Sequence, residues 1–267
     1  MTTAWLHHVS GDAGPAVNDP SSTIERVRLA AGRGQVADAA RRFARDRRVL
    51  IENVLREEDA ARLHAAAASW TRWNLVTRID SAHRDFNPAG LAALPQDKAA
   101  VVQGLIDREA RQGFQYLFET YALYDAARAG RLDDPDLGAA FAFVRSPEFL
   151  ELARTITGRS EIAYADAQLT RFRAGHYLAR HDDAVDGKNR VAAYVINLTR
   201  GWRADCGGQL QFVDGDGHVE RAYTPTFNAL AMFEVPTPHA VSPVAPWVDG
   251  HRLSITGWLR SGREAGV

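Results

Sequence analysis

The residues of this chain best suited to chemistry are His181-Asp182-Asp183, a distant His239, and then Arg252. Two imidazoles and one carboxylate can hold a divalent ion on one face and leave the opposite coordination positions open. That arrangement suits a non-haem Fe(II) that takes an organic cosubstrate and O₂ on its open side. In an extended segment residues i and i+2 share a face, so His181 and Asp183 address one point while Asp182 turns away. His239 follows Thr237-Pro238, a proline-stiffened turn that would fix its approach. A guanidinium is planar, permanently charged and bidentate towards carboxylates, so Arg252, on the strand after the last ligand, can anchor the far end of a dicarboxylate. The triplet alone is a weak signal, and it gains weight from His239 and Arg252 arriving in order. The same three ligands can hold Zn²⁺ with a water, as in a hydrolase. No glutamate or histidine stands as an evident general base for that chemistry, and Arg252 would lack a purpose in it.

Short strands are needed to position these side chains, and the pattern supplies them from residue 161 onward. Segments 163–172, 190–198, 209–213, 219–223, 230–235, 239–244 and 253–259 are strand-like and separated by turns. Asp214-Gly-Asp-Gly217 marks a hairpin. Seven or eight short antiparallel strands predict a sandwich or jelly roll. The preceding half reads differently. Residues 5–22 form a Gly-, Pro-, Asp- and Ser-rich lead-in, and helical patterning begins near Thr23 and resumes after Gly32-Arg33-Gly34. A short buried strand is predicted at 48–55, an alanine-rich helix at 57–70, an irregular stretch at 74–95 and a long helix at 97–129. The aromatic middle of that helix, 114–124, has a spacing that favours core packing over ligand contact. Ser146-Pro147-Glu148 opens another helix with a serine cap and a first-turn proline, and Gly158 closes it. Helices first and strands later is the α+β order, with the helical half bracing one sheet from outside. The predicted organisation is a lead-in with helices over 1–46, a mainly helical support region over 47–160, and a strand-built site region over 161–262.

The bulk numbers are those of a globule with a real core: 267 residues, 46% hydrophobic, 24% charged and a formal net charge of −1. They give no reason to expect a nucleic-acid or membrane partner. The arginines between Arg41 and Arg48 are interleaved with Asp46 and read as a solvated helix face. A single cysteine, Cys206, rules out an internal disulfide and a Cys-based zinc cluster. With no secretion-signal pattern at the start and no run of transmembrane length, a cytoplasmic location is expected. His7, His8, His64, His83 and His218 fall in exposed or helical settings, and His176 and His251 near the site do not fit the ligand spacing.

Five stretches carry a resemblance: Phe172-Arg-Ala-Gly-His-Tyr-Leu-Ala-Arg-His-Asp-Asp183, Gly207-Gly-Gln-Leu-Gln-Phe212, Pro225-Thr-Phe-Asn-Ala-Leu-Ala-Met-Phe233, His239-Ala-Val241 and Arg252-Leu-Ser-Ile-Thr-Gly-Trp258. Through them the chain resembles the prolyl-4-hydroxylase-like branch of the Fe(II)/2-oxoglutarate-dependent dioxygenases. The resemblance implies a double-stranded β-helix (jelly roll) braced by helices, with Fe(II) held by His181, Asp183 and His239. It implies 2-oxoglutarate as cosubstrate, with its C5 carboxylate on Arg252, and O₂ as oxidant. The implied reaction is hydroxylation of an unactivated C–H bond with release of succinate and CO₂. The implied substrate is a prolyl residue of a protein or peptide, with a free amino acid or other small metabolite as the alternative. A non-catalytic cupin-like binding module on the same barrel is a further alternative, and a monomer or homodimer is expected.

The sequence departs from the family pattern where many relatives have Tyr-x-Pro-Gly, since here the segment is Phe172-Arg-Ala-Gly175. Where prolyl hydroxylases place a tyrosine beside the cosubstrate's far carboxylate, this chain has Asn197. Tyr177, Tyr194 or Thr256 are other candidates for that contact. Arg190 falls where some protein-modifying relatives put a substrate-contacting arginine, and it reads equally well as part of a solvated turn.

Overall fold

Short segments from residue 162 onward build the strands that carry His181, His239 and Arg252. The computed structural model describes residues 25–264. The lead-in and the helical start near Thr23 lie outside the described residues. In chain order the elements are α1 (Arg33–Asp46), β1 (Arg48–Glu52), α2 (Glu57–Ser69), β2 (Asn74–Ile79), β3 (Ala82–Phe86), α3 (Pro88–Ala92), α4 (Gln96–Gln112), β4 (Tyr116–Tyr121), α5 (Leu123–Arg128), α6 (Pro135–Val144) and α7 (Pro147–Thr157). The strand-rich part follows with β5 (Ile162–Ala165), β6 (Gln168–Phe172), β7 (Tyr177–His181), β8 (Arg190–Asn197), β9 (Leu210–Val213), β10 (Val219–Tyr223), β11 (Ala229–Glu234), β12 (His239–Val241) and β13 (Arg252–Ser261).

The sheet runs β1-β11-β8-β13-β6-β4-β7-β12-β9-β10 through antiparallel pairs, with β2, β3 and β5 attached to its sides. β4 is the corner strand. Its Glu119–Tyr121 end pairs with β6 and its Tyr116–Leu117 end with β7, which turns one run of strands back over the other. The result is the double-stranded β-helix of an α+β chain.

β8 and β13 show how the sequence sorts its faces. Tyr194 and Ile196 on β8, with Leu253, Ile255 and Leu259 on β13, join the large core beneath the helices. Ala193 and Val195 face the other way, into the barrel with Phe212 and Phe233. On β13 the alternate positions Arg252, Thr256 and Trp258 line the barrel cavity. Both faces of these strands are covered, so burial is nearly continuous along them.

The helical wall is held by α2, α6 and α7. Ser146 caps α7 by accepting the Phe149 N–H at 3.2 Å, and Gly158 ends it in the left-handed conformation. Phe149, Leu152 and Ile156 are buried from that helix, and full burial of a side chain of this size contributes about 1.5–3 kcal/mol.

Several elements differ from the sequence expectations. The stretch 114–124 is not the middle of a long helix: α4 stops at Gln112 and β4 follows. Its aromatic residues suit a pleated surface, and partners on both sides (β2 with β6, then β7) settle the ambiguity that a short apolar run leaves open. The stretch 74–95 is a β2–β3 hairpin followed by α3, not irregular chain. Residues 25–32 are extended and touch the sheet through a Leu29–Leu55 bridge, and the helix begins at Arg33. The predicted strand 163–172 is two strands broken at Asp166-Ala167, and β7 is an additional one. The support region 47–160 therefore supplies four strands as well as helices.

Candidate active site

β7 and β12 run antiparallel with His181 directly opposite His239. The next pair is Leu178 with Val241, so β7 has one residue more than its partner between the two pairs. Such a bulge re-aims side chains, and here Leu178 and His181 both line one cavity despite their odd spacing. The two imidazole centroids are 4.1 Å apart. His181 Nδ1 lies 3.0 Å from the Ala179 carbonyl oxygen, and His239 Nδ1 lies 2.7 Å from that of Thr237. A carbonyl can only accept, so each Nδ1 carries the proton and each Nε2 keeps its lone pair for a ligand.

Asp183 lies beyond the end of β7, not on it, and its backbone is left-handed at φ 63°. Its carboxylate still reaches the histidines: Oδ1 is 3.3 Å from His181 Nε2 and Oδ2 is 3.5 Å from His239 Nε2. One ligand atom from each residue lies within 4.8 Å of the others. Burial pushes the Asp183 carboxyl upward, but its interactions with His181 and His239 outweigh that push and hold it below its usual range. The neighbouring Trp258 indole N–H adds to that lowering, although it completes no hydrogen bond of good geometry. Burial, reinforced by His181, lowers His239 to about 4. Neutral imidazole beside ionised carboxylate is the protonation state that metal binding requires.

The cavity under this triad encloses about 90 Å³. Arg252 lines it and is 2% exposed. Its guanidinium packs 4.9 Å from the Phe172 ring, and burial lowers it to about 10. No carboxylate pairs with it among the described residues, and its Nε has no hydrogen-bond partner. A buried cation without a counterion is costly, so the site is suited to receive an anion. Gly208 makes room for this arginine: a Cβ there would sit 3.3 Å from Arg252 Cδ and 3.2 Å from Val244 Cγ2. The other polar groups on this wall are Thr170, whose Oγ1 lies 2.8 Å from Ser254 Oγ, and Thr256, which accepts from Gln168 Nε2 at 3.3 Å. Most of the remaining lining is apolar, including Leu178, Val195, Leu210, Phe233 and Val241.

The structure thus brings His181, Asp183, His239, Arg252 and Thr256 to one cavity. Asn197 is buried behind it, with Nδ2 3.5 Å from the Ala229 carbonyl and Oδ1 unpartnered, and it does not line the cavity. Tyr177 is also absent from the lining, and the charge of Asp107 on α4 acts on its phenol. The Tyr194 hydroxyl is engaged with the Asp166 carbonyl at 2.7 Å. Arg190 is no solvated turn residue: its side chain is 14% exposed and its guanidinium lies 3.5 Å from the Trp258 ring centroid. His176 is buried, lowered to about 4 by desolvation, and stands apart from the triad. Sequence reasoning missed Trp258, Thr170, Gln168 and Phe118 as lining residues. Trp258 was within reach, because its even spacing from Arg252 puts both on one face of β13.

The donor set fits a facially bound divalent ion. Octahedral bonds of about 2.1 Å place neighbouring ligand atoms about 3 Å apart, close to the separations seen between Asp183 and the histidines. The unpaired Arg252 in the same cavity fits the far carboxylate of a dicarboxylate.

Comparison with known proteins agrees. The profile of the 2OG-Fe(II) oxygenase superfamily matches residues 167–260. Prolyl 3-hydroxylase OGFOD1 of Mus musculus is 36% identical over 86 residues, which is 30% of this chain and 15% of that protein's length. Among solved structures, a Pseudomonas putida prolyl-4-hydroxylase is matched over all of its chain and 85% of this one, with a TM-score of 0.54 and 17% identity. A Burkholderia pseudomallei oxidoreductase of the 2OG-Fe(II) oxygenase family is likewise matched over its full chain and 90% of this one, with a TM-score of 0.55 and 14% identity. The profile spans His181, Asp183, His239 and Arg252, and the fold around them is the one these structures share, so residues 167–260 are similar to the 2OG-Fe(II) oxygenase superfamily.

Proposed function

We propose that this protein is an Fe(II)/2-oxoglutarate-dependent hydroxylase acting on a prolyl residue of a protein or peptide. The observation that carries the oxygenase chemistry is the pairing, in one cavity, of the His181–Asp183–His239 set with a buried arginine that has no counterion. Bound Fe(II) and 2-oxoglutarate supply the oxidising chemistry with O₂, yielding succinate, CO₂ and a hydroxylated substrate. His181 and His239 would offer Nε2 to the iron, each oriented by its own backbone carbonyl contact. Asp183 would complete the face and offset part of the ion's charge. Arg252 would take the C5 carboxylate of 2-oxoglutarate, with the hydroxyls of Thr170 and Thr256 on the same wall. The apolar lining keeps bulk water from the reacting end, which strengthens each of these electrostatic contacts.

The prolyl assignment is supported by the similarity to the mouse prolyl 3-hydroxylase, 36% identical over 86 residues. The test begins with succinate release from 2-oxoglutarate under Fe(II) and air. Wild type should turn over and His239→Ala should not; equal iron-dependent rates would overturn the chemistry. Mass spectrometry of protein and metabolite fractions of a cell lysate should then show a +16 Da product on a prolyl-containing peptide. A product confined to the metabolite fraction would replace the prolyl reading with a small-molecule one.

A further inference from the structure

Asp183 is the ligand that the sheet does not hold. β7 ends at His181, and the next residues turn away: Asp182 accepts the Ala184 N–H on its own carboxylate at 3.0 Å, and Asp183 adopts the left-handed backbone. A non-glycine residue keeps that conformation when its surroundings over-determine it. The contact that fixes its main chain comes from Arg190, the first residue of β8, whose Nη1 donates to the Asp183 carbonyl at 2.9 Å. The same nitrogen is 3.7 Å from Asp183 Oδ1. Arg190 is itself held rigidly. Its guanidinium stacks at 3.5 Å on Trp258, and Trp258 sits on β13, the strand that also carries Arg252. Arg190 Nε is buried and without a partner, and Nη1 is the guanidinium nitrogen that meets Asp183.

We propose that Arg190, stacked on Trp258, is a positioning residue for the metal site: it clamps the Asp183 carbonyl so that the carboxylate faces the Nε2 edges of His181 and His239. This assigns Arg190 to the iron side of the cavity and not to substrate contact. Two opposing effects follow from removing it. The clamp is lost, which should loosen the ligand, and a positive charge leaves the metal's neighbourhood, which should tighten binding of a divalent ion. The clamp is expected to dominate, because outer partners of metal ligands typically change affinity by about 10–100-fold.

The inference rests on the metal reading of the triad, and the experiment separates the two. Co(II) is titrated into the metal-free full chain, and both the dissociation constant and the visible spectrum, which reports ligand geometry, are recorded. Arg190→Met keeps bulk against Trp258 and removes the donor. It should weaken Co(II) binding about 10–100-fold and alter the spectrum, with little change in the melting of the metal-free protein. Arg190→Lys, which retains a donor, should recover part of the affinity. If the methionine variant does not fold, Arg190→Gln, with a shorter donor, takes its place with the same expected direction. A variant whose Co(II) affinity and spectrum equal those of wild type, or whose binding is tighter, overturns the clamp. Wild type that binds no Co(II), or Asp183→Ala that binds like wild type, overturns the metal reading itself.

Discussion

Replacing Arg252 by methionine should abolish tight 2-oxoglutarate binding while making the cosubstrate-free protein more stable. The two halves of that prediction come from one measurable burden. Burial lowers Arg252 from the ordinary guanidinium range to about 10, and each pKa unit corresponds to about 1.36 kcal/mol between protonation states, so the buried charge costs on the order of 3 kcal/mol. The sign follows from linkage: the folded pKa is the lower one, so protonation favours the unfolded chain. The penalty is complete at neutral pH and fades only as pH rises through about 10. A carboxylate placed on the guanidinium adds charge-assisted bonds of about 1.5–3 kcal/mol each. Losing two of them weakens binding by roughly 10²–10⁴-fold at about 1.4 kcal/mol per tenfold. Calorimetric titration of 2-oxoglutarate into Mn(II)-loaded protein measures the first effect, and thermal melting without cosubstrate measures the second. Arg252→Met should melt roughly 6–12 °C higher, at roughly 2–4 °C per kcal/mol for a domain of this size, and the difference should be flat across neutral pH. The reasoning fails if the variant binds 2-oxoglutarate within a few-fold of wild type. It also fails if the variant melts well below wild type, which would mean that Arg252 stabilises the fold through an internal partner.

Removal of a proposed ligand, in Asp183→Ala or His239→Ala, should reduce divalent-metal affinity by more than the roughly 10–100-fold of a lost outer partner, measured by equilibrium dialysis, and eliminate iron-dependent succinate release. Gly208→Ala should both strain the backbone, which is left-handed there at φ +64°, and push Arg252 from its place. A melting loss equivalent to about 1–2 kcal/mol together with weaker 2-oxoglutarate binding is expected, and unchanged affinity would remove Gly208 from the argument. His176 is lowered to about 4 by burial, below the ordinary histidine value of about 6.5. The unfolded chain therefore takes up its proton first, and stability should decline as pH falls from about 6.5 to about 4, by up to roughly 3 kcal/mol. His176→Phe should reduce the slope of that part of the metal-free melting profile, the remainder coming from His239, which burial also lowers to about 4, and an identical slope in the variant would refute it.

The chemistry was legible in the sequence because residue types and order along the chain survive folding, although the strand that carries His181 was not itself read from the pattern. The metal residues and Arg252 needed only their types and sequence. What the sequence could not carry was anything decided by a partner far away. Residues 114–124 contain rings at spacings that satisfy a helix as well as a strand, and only pairing with β2, β6 and β7 separates the two. Asn197 matched by position along the chain and Tyr177 was an alternative to it, yet neither side chain lines the cavity. The end of β7 at His181 explains the partial success at Asp183. Period-two alternation correctly put its carboxylate beside His181, but the strand has already ended there, and a left-handed residue held by Arg190 supplies the alignment. Residue type and order therefore located the ligands, while the contact of Arg190 with the third depends on β8 and β13 being brought beside it.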